Sequence, residues 1–547
     1  MRWIRPLSAQ VAETAETLGG KAHGLVVLHR LGLPVPAGFV ITTDACRAYL
    51  REGRLPAGLA EELAAAMGGL EAATGREFGG VRAPLAVSVR SGASVSMPGM
   101  MSTILNLGLT ADAAAGLAAE TGDARFASDA RLRFLSSLAS AITDTDVGGG
   151  DGDDATAAGP GGAAARSAED EGARRADAIE AVQGLVRRLS GAPVPDTAAR
   201  QLDLAVETVF SSWDTPRART YRELHGIPPD LGTAVIVQAM VFGNRDDRSG
   251  TGVAFSRDPN TGENVPFGDV LFARQGDDVV SGRSPARPLR ELADREPAVW
   301  AALVDALNRV EGHYRDACYV EFTFEGGELW FLQVRPSRFT GAAAVRAATD
   351  LADEGAVTRH EALLRVAPQQ LRHVRTPRIA ASADADILGR GVGACPGVAA
   401  GRIATTTDAA LRMAADGPVV LVRPETSPHD MRGLAAAAGI VTARGGPASH
   451  AAVVARAMGK PAVVGTTGLD VAAASVRFGG RTISEGTLVT IDGISGEVAL
   501  GSPRIATDTA GAHLRRLLEW ADDAAGDHSE RDDAQRLTAA HAALRQG

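Results

Sequence analysis

The chain has 547 residues, 45% apolar and 22% charged, with three cysteines and a formal net charge of -10. A single core stops growing near ~250 to 300 residues, so several domains are expected, and the composition is that of a globular protein. The acidic balance argues against general binding to nucleic acid, no run of ~18 apolar residues offers a membrane span, and an N-terminus without an apolar leader core, with Cys46, Cys318 and Cys395 far apart, points to a reducing cytoplasm.

Strand-like runs such as PLAVSVR, TAVIVQAMVF and LVTIDG alternate with Ala/Leu/Arg-rich helical stretches, which places the chain in the α+β / α/β multidomain class. In chain order, VSVRSGASVSMPGMM ends a strand on Arg90 and passes into a small-residue loop whose open backbone suits a phosphate. From Asp146 to about Arg175, DVGGGDGDDATAAGPGGAAARSAEDEGAR offers one valine and no aromatic residue. That is too little apolar surface to offset the entropy of ordering, so an unstructured insert is expected there. RSGTGVAFSRDPNTGE then gives backbone N–H groups access around Gly250 and Gly252, a second phosphate-like stretch. No G-x-x-x-x-G-K-[ST] occurs, so a nucleotide here is held without a P-loop.

The stretch RDACYVEFTFEGGELWFLQVRP predicts a hairpin, two alternating runs around Gly326 and Gly327. With a period of two, Val320, Phe322 and Phe324 share one face with Trp330, Leu332 and Val334, while Glu321, Thr323, Gln333 and Arg335 share the other. Glu321 and Gln333 fall opposite each other. Their oxygens suit a Mg²⁺ that keeps waters and phosphate oxygens as its other ligands, although the pattern also fits a solvent face. Gly341 to Val374 reads as a helical connector with a break at Gly355 and a stop at Pro368.

Beyond the connector, AGIVTA predicts a buried strand, Gly445 and Gly446 a turn, and Ala451 to Met458 a helix ended by Gly459 and Pro461. Ser449 as N-cap puts His450 at the first helical position, where unpaired N–H groups and the helix dipole favour an anion. A histidine there is a competent nucleophile, because its ordinary pKa of about 6.5 leaves much of it neutral; a histidine packed under the glycine turn fits the same residues. In the tail, Leu514, Leu517, Leu518 and Ala521 recur at helical spacing, an apolar stripe expected to dock on its own chain or on a partner.

Taken together, GGKAHGLVVLHRLGLPVPAGFVITTDAC, VSVRSGASVSMPGMMSTILNLGL, GTAVIVQAMVFGNRDDRSGTGVAFSRDPNTGE, YVEFTFEGGELWFLQVRP and ETSPHDMRGLAAAAGIVTARGGPASHAAVVARAMGKP resemble, in content and order, the pyruvate phosphate dikinase family. The resemblance implies an ATP-grasp-like nucleotide-binding domain over 1–340, a helical connector over 341–378, a swivelling phosphohistidine domain over 379–505 and a helical acidic tail over 506–547. It implies that His450 attacks the β-phosphate of ATP with release of AMP, after which inorganic phosphate removes the terminal phosphoryl group and leaves phosphohistidine. By matched motif positions, Lys21, Arg90 and Arg335 would contact phosphate, Gly250 and Gly252 would lie in a glycine-rich phosphate loop, Glu321 and Gln333 would bind Mg²⁺, and Gly445, Gly446 and Ser449 would support the histidine loop.

Three departures stand out. Tyr319 occupies a position, two before the metal-binding glutamate, where the family commonly has an acid, and Ala448 stands where many members have a threonine. The family also continues into a pyruvate-binding barrel, for which residues 375 to 547 fall short of the necessary length of about 250 residues. The expected partners are therefore ATP, inorganic phosphate, a separate pyruvate/phosphoenolpyruvate-binding barrel protein for which the tail helix is the candidate docking surface, and a second copy of the chain in a homodimer, with no nucleic acid and no membrane. Phosphotransfer to a different small-molecule acceptor, or a regulatory remnant without catalysis, are the alternatives. The connector is expected to be the hinge of the swivelling domain.

Overall fold

The computed structural model describes residues 3–95, 97, 100–146, 168–276, 278, 287–337, 339, 341–371, 374, 377–379, 385–447, 449–507 and 511–546. They divide into two units, Met1–Val241 and Phe242–Gly547. Among the described residues no helix is long and apolar enough to cross a membrane.

The first unit is built on strands β1 (Ile4–Pro6), β2 (Gly38–Ile41), β3 (Val87–Gly92), β4 (Thr103–Leu107) and β5 (Ala234–Ala239), hydrogen-bonded in the order β1-β2-β5-β3-β4. Alternation decides which face is covered: Phe39, Ile41, Val87, Val89, Val235 and Val237 join one apolar cluster with residues of helices α2 (Ala124–Asp146), α3 (Ala168–Ser190) and α4 (Ala198–Ser212). Helix α1 (Ala15–Arg30) departs from helical geometry at Gly19, where a Cβ would stand 1.5 Å from the Gly92 carbonyl oxygen. Its next residue, Gly20, donates to the Ala93 carbonyl at 2.9 Å. The insert expected over 146–175 is contradicted at its far end, and residues 147–167 lie outside the described residues. Residues 168–175 are helical because Ile179, Val182, Leu185, Val186 and Leu189 anchor α3 in the cluster and the helix propagates back from them, with Arg175 paired to Asp129 at 2.6 Å.

The second unit begins with an antiparallel sheet of β6 (Gly250–Phe255), β7 (Phe267–Phe272), β8 (Cys318–Glu325) and β9 (Glu328–Pro336), in the order β7-β6-β8-β9 with Arg287–Pro288 at the edge. The predicted hairpin is β8–β9, and Glu321 pairs with Gln333 across it. One expectation fails: a bulge after Glu321 lets Phe322 pair with Phe331 and Thr323 with Trp330, so Phe331, not Trp330, shares the buried face. The extra residue, Leu332, shifts the alternation by one on the far side of the bulge. Helix α5 (Pro297–Tyr314) packs on β8 and β9, and α6 (Gly341–Asp353) and α7 (Arg359–Arg365) follow.

Next comes an eight-stranded sheet of β10 (Ile387–Arg390), β11 (Val392–Cys395), β12 (Val398–Ala404), β13 (Val419–Arg423), β14 (Gly439–Thr442), β15 (Ala462–Val464), β16 (Leu488–Asp492) and β17 (Glu497–Leu500), ordered β10-β17-β16-β12-β13-β14-β15-β11. The pairs β12–β13, β13–β14 and β14–β15 are parallel, which requires crossover connections; α8 (His450–Met458) is the one between β14 and β15. Helices α9 (Ala512–Ala525) and α10 (Asp533–Gln546) close the chain.

Connector and tail form one helical block. Leu514, Leu517, Leu518 and Ala521 are buried with Val345, Ala348, Leu351, Ala362 and Leu363 of α6 and α7, so the tail stripe docks on its own chain and is not free to receive a barrel. Nor are the connector helices a free hinge: Ala343 and Ala347 lie in a cluster with Val253, Phe255 and Tyr319, and the buried Arg257 pairs with Glu311 at 2.7 Å and with Glu354 just beyond α6. Truncating Leu517 to Ala should remove about 2 to 5 kcal/mol from this block and open α9 and α10 to limited proteolysis, measured by cleavage within 512–546. Unchanged cleavage rates would show that the tail is not docked.

Candidate active site

His450 stands where chain topology and helix electrostatics coincide. Strand β14 runs parallel to its neighbours, and beyond the carboxyl ends of such strands open α/β sheets bind ligands. The chain leaves β14 through Gly445, whose φ of 107° lies in the region that favours glycine and where a Cβ would meet the Ser449 side chain at 2.9 Å. Ser449 is the N-cap residue by backbone geometry, but its hydroxyl makes no capping bond and is buried without a described partner. The first N–H groups of α8 have no intrahelical acceptors, and the helix dipole adds positive potential at that end.

The imidazole is held from one side only. Its Nδ1 lies 3.0 Å from the Thr426 hydroxyl, whereas Nε2 is buried with no hydrogen-bond partner among the described residues. Burial pushes its pKa below the ordinary value of 6.5, against a weaker opposing pull from the Asp430 carboxylate. The ring is therefore neutral near pH 7, and in the tautomer that carries its proton on Nδ1, that N–H donates to the Thr426 hydroxyl and the lone pair is on Nε2. Asp430 is in turn fixed by Arg423 at 3.3 Å and by the Ser427 backbone N–H at 2.9 Å. Thr426 and Asp430 escaped sequence reading. The S-x-x-D pattern of Ser427 to Asp430 marks a capped turn but does not say which helix it faces.

The second candidate surface is one face of the antiparallel sheet. Residues directly opposite in antiparallel strands share a face, so Asp269, Val253, Glu321 and Gln333 form one row across β7, β6, β8 and β9. Phe267, Phe255, Tyr319 and Arg335 form the next row on the same face. The Tyr319 hydroxyl donates to Glu321 Oε1 at 3.3 Å, and the Arg335 guanidinium lies 4.6 Å from the Tyr319 ring centroid. Among the described residues no three His, Cys, Asp or Glu side chains gather into a metal cage. A facing carboxylate and amide fit instead a Mg²⁺ that takes most of its ligands from water and phosphate.

Within this unit the histidine loop and its helix meet that face. Gly446 lies against Asp269, where a Cβ would stand 2.4 Å from a carboxylate oxygen, and Asn260 Nδ2 donates to the Gly393 carbonyl at 3.2 Å. Arg456, on α8, has its guanidinium 5.7 Å from the Phe255 ring centroid and donates to the carbonyls of Ala394 and Pro447. Burial pushes its pKa down to about 10, which still leaves it charged at neutral pH. A cavity of about 1080 Å³ runs beside the loop, lined by Asp269, Leu289, Arg444, Gly445, Gly446 and Thr466 among others.

The remaining predicted residues separate. Gly250 and Gly252 are not in an open phosphate loop: they sit in β6, paired to β7 and β8. A Cβ would come within 2.3 Å of the Phe324 ring at Gly250 and 2.5 Å of the Phe322 ring at Gly252, so ring packing explains both glycines. Lys21 and Arg90 belong to the other unit, Lys21 on α1 and Arg90 on β3; a Cβ on Gly92, at the end of β3, would lie 3.7 Å from that of Lys21. Ala448 falls outside the described residues.

Comparison with known proteins accords with this layout. Residues 15–71 and 51–296 match the family described as pyruvate phosphate dikinase, AMP/ATP-binding domain, and residues 415–496 match the PEP-utilising enzyme, mobile domain. The chain is 41% identical to the pyruvate, phosphate dikinase of Rhizobium meliloti (strain 1021) over 95% of its own length and 60% of that protein's, and 39% identical to that of Clostridium symbiosum over the same shares. It is 41% identical to the pyruvate, phosphate dikinase of Giardia intestinalis over 93% of this chain and 58% of that one. The chain thus spans about three fifths of the length of these relatives. With a multidomain α/β fold, a nucleotide-binding family match ahead of a mobile-domain match, and His450 at the helix start within the latter, the chain belongs to the pyruvate phosphate dikinase family.

Proposed function

We propose that this chain phosphorylates its own His450 from ATP and passes the phosphoryl group on. The observation that carries the reading is the buried Nε2 at the start of α8, without a hydrogen-bond partner among the described residues, with Nδ1 tied to Thr426. In the first step Nε2 attacks the β-phosphorus of ATP, the bond from that phosphorus to the oxygen bridging the α-phosphate breaks, and AMP leaves with that oxygen. Inorganic phosphate then attacks the terminal phosphorus, pyrophosphate departs, and phosphohistidine remains. As Nε2 bonds to phosphorus the ring acquires positive charge, which the Nδ1–H bond to Thr426 and the opposing Asp430 carboxylate stabilise.

Lys21 and Arg90 in the first unit, and Arg335 in the second, are assigned to the polyphosphate. Glu321 and Gln333 would hold Mg²⁺, which when bound offsets phosphate charge. Gly445 and Gly446 let the loop bend close to its neighbours, and Ser449 begins the helix. Pyruvate, named in the relatives' own names, is the proposed final acceptor, reached at a pyruvate-binding barrel outside residues 1–547. The three cysteines, all buried and unpaired, fit a cytoplasmic setting.

Incubation with ATP labelled at the β-phosphate should label the chain through an acid-labile, base-stable linkage. His450→Ala should abolish the label while ATP affinity stays within about twofold of the parent by calorimetry, and label retained by that variant would overturn the assignment. With ATP, phosphate and pyruvate the chain should form AMP but no phosphoenolpyruvate unless a barrel is added; phosphoenolpyruvate from the chain alone would refute that division. Because burial depresses the pKa of His450, the acid limb of the labelling rate should be centred below 6.5, the ordinary imidazole value. An acid limb centred at or above 6.5 would contradict the buried, neutral imidazole.

A further inference from the structure

Tyr319 occupies the place where the family pattern has an acid, and its surroundings assign it a different task. It is buried in the centre of the sheet, opposite Phe255 on β6 and Arg335 on β9. Its hydroxyl reaches Glu321 Oε1 at 3.3 Å, two residues along the same strand and on the same face. Its ring lies 4.6 Å from the Arg335 guanidinium and meets Phe255 edge-on at 5.0 Å between centroids. A phenol is protonated at neutral pH, so the hydroxyl donates to the carboxylate.

We propose that Tyr319 is a positioning residue for the metal–nucleotide site, its hydroxyl holding Glu321 and its ring holding Arg335, in place of a further carboxylate ligand. This rests on the reading of Glu321 as a Mg²⁺ ligand given above. A neutral phenol is a poor ligand for a hard dication, so Tyr319 acts through Glu321. A ligating carboxylate whose outer partner orients it meets the ion already placed, and loss of such a partner typically weakens metal binding 10- to 100-fold. The same ring ties the metal row to the docking row: Phe255, in edge contact with Tyr319, also lies beneath Arg456 of the histidine helix.

Mn²⁺, a paramagnetic stand-in for Mg²⁺, provides a readout separate from turnover. Its binding to the full chain in the presence of a non-hydrolysable ATP analogue is followed by electron paramagnetic resonance. Tyr319→Phe keeps the ring and removes only the hydroxyl, and it should weaken Mn²⁺ binding about tenfold. Leu271→Ala, which opens a cavity in the same apolar cluster, should leave Mn²⁺ affinity within about twofold of the parent and serves as the packing control. If Tyr319→Phe binds Mn²⁺ like the parent while Glu321→Ala does not, or if Leu271→Ala loses as much as Tyr319→Phe, the phenol is only core and the proposal falls. If Glu321→Ala itself binds Mn²⁺ like the parent, it is the underlying reading of the metal face that fails.

Discussion

An imidazole taken out of water at the start of a helix, with one nitrogen bonded and the other left open, is the constraint around which the second unit is arranged. Burial favours the neutral ring, and a neutral ring has one lone pair to give; the Thr426 hydroxyl engages Nδ1 and leaves Nε2 facing away from it. Asp430, close enough to oppose the desolvation, is itself held by Arg423 and by the Ser427 N–H. Loop, strand end and helix therefore form a single device, and a parallel sheet with crossover helices places its open end beyond the strand termini.

The antiparallel sheet supplies the complementary surface through register alone. Two adjacent rows bring a carboxylate, an amide and a guanidinium to one face while the other face is filled by phenylalanines over glycines. The bulge falls just past the Glu321–Gln333 row, so the alternation that builds the polar face is intact where it is needed and shifts only toward the turn. Gly250 and Gly252 belong to this economy of space: their missing side chains make room for the Phe324 and Phe322 rings. Asp269 and Phe255 extend the same rows to the strands that meet Gly446 and Arg456 of the histidine region.

Beyond the two sheets, the helices after Gly341 and those at the chain's end make one apolar cluster although more than 140 residues separate Leu363 from Leu514. Arg257 carries this block onto the sheet through Glu311 and Glu354. The pair is largely desolvated on the arginine side, and removing one partner from such a cation costs more than the pair itself contributes. Residues that look like a linker in sequence are therefore part of the framework that holds the sheet face.

What the sequence by itself determined was local: the hairpin turn at Gly326 and Gly327, the pairing of Glu321 with Gln333, and the helix beginning after Ser449 and ending at Gly459. Each follows from interactions between residues a few positions apart, where alternation, turn chemistry and capping leave few options. The family resemblance likewise was readable from short motifs in order. Only the tertiary structure decided that Thr426 faces His450, that Tyr319 bridges Glu321 and Arg335, that two glycines lie under rings, and that the tail stripe is buried. Most of these join residues separated by tens to hundreds of positions. Such contacts are chosen by the packing of whole elements, and no local rule carries that information.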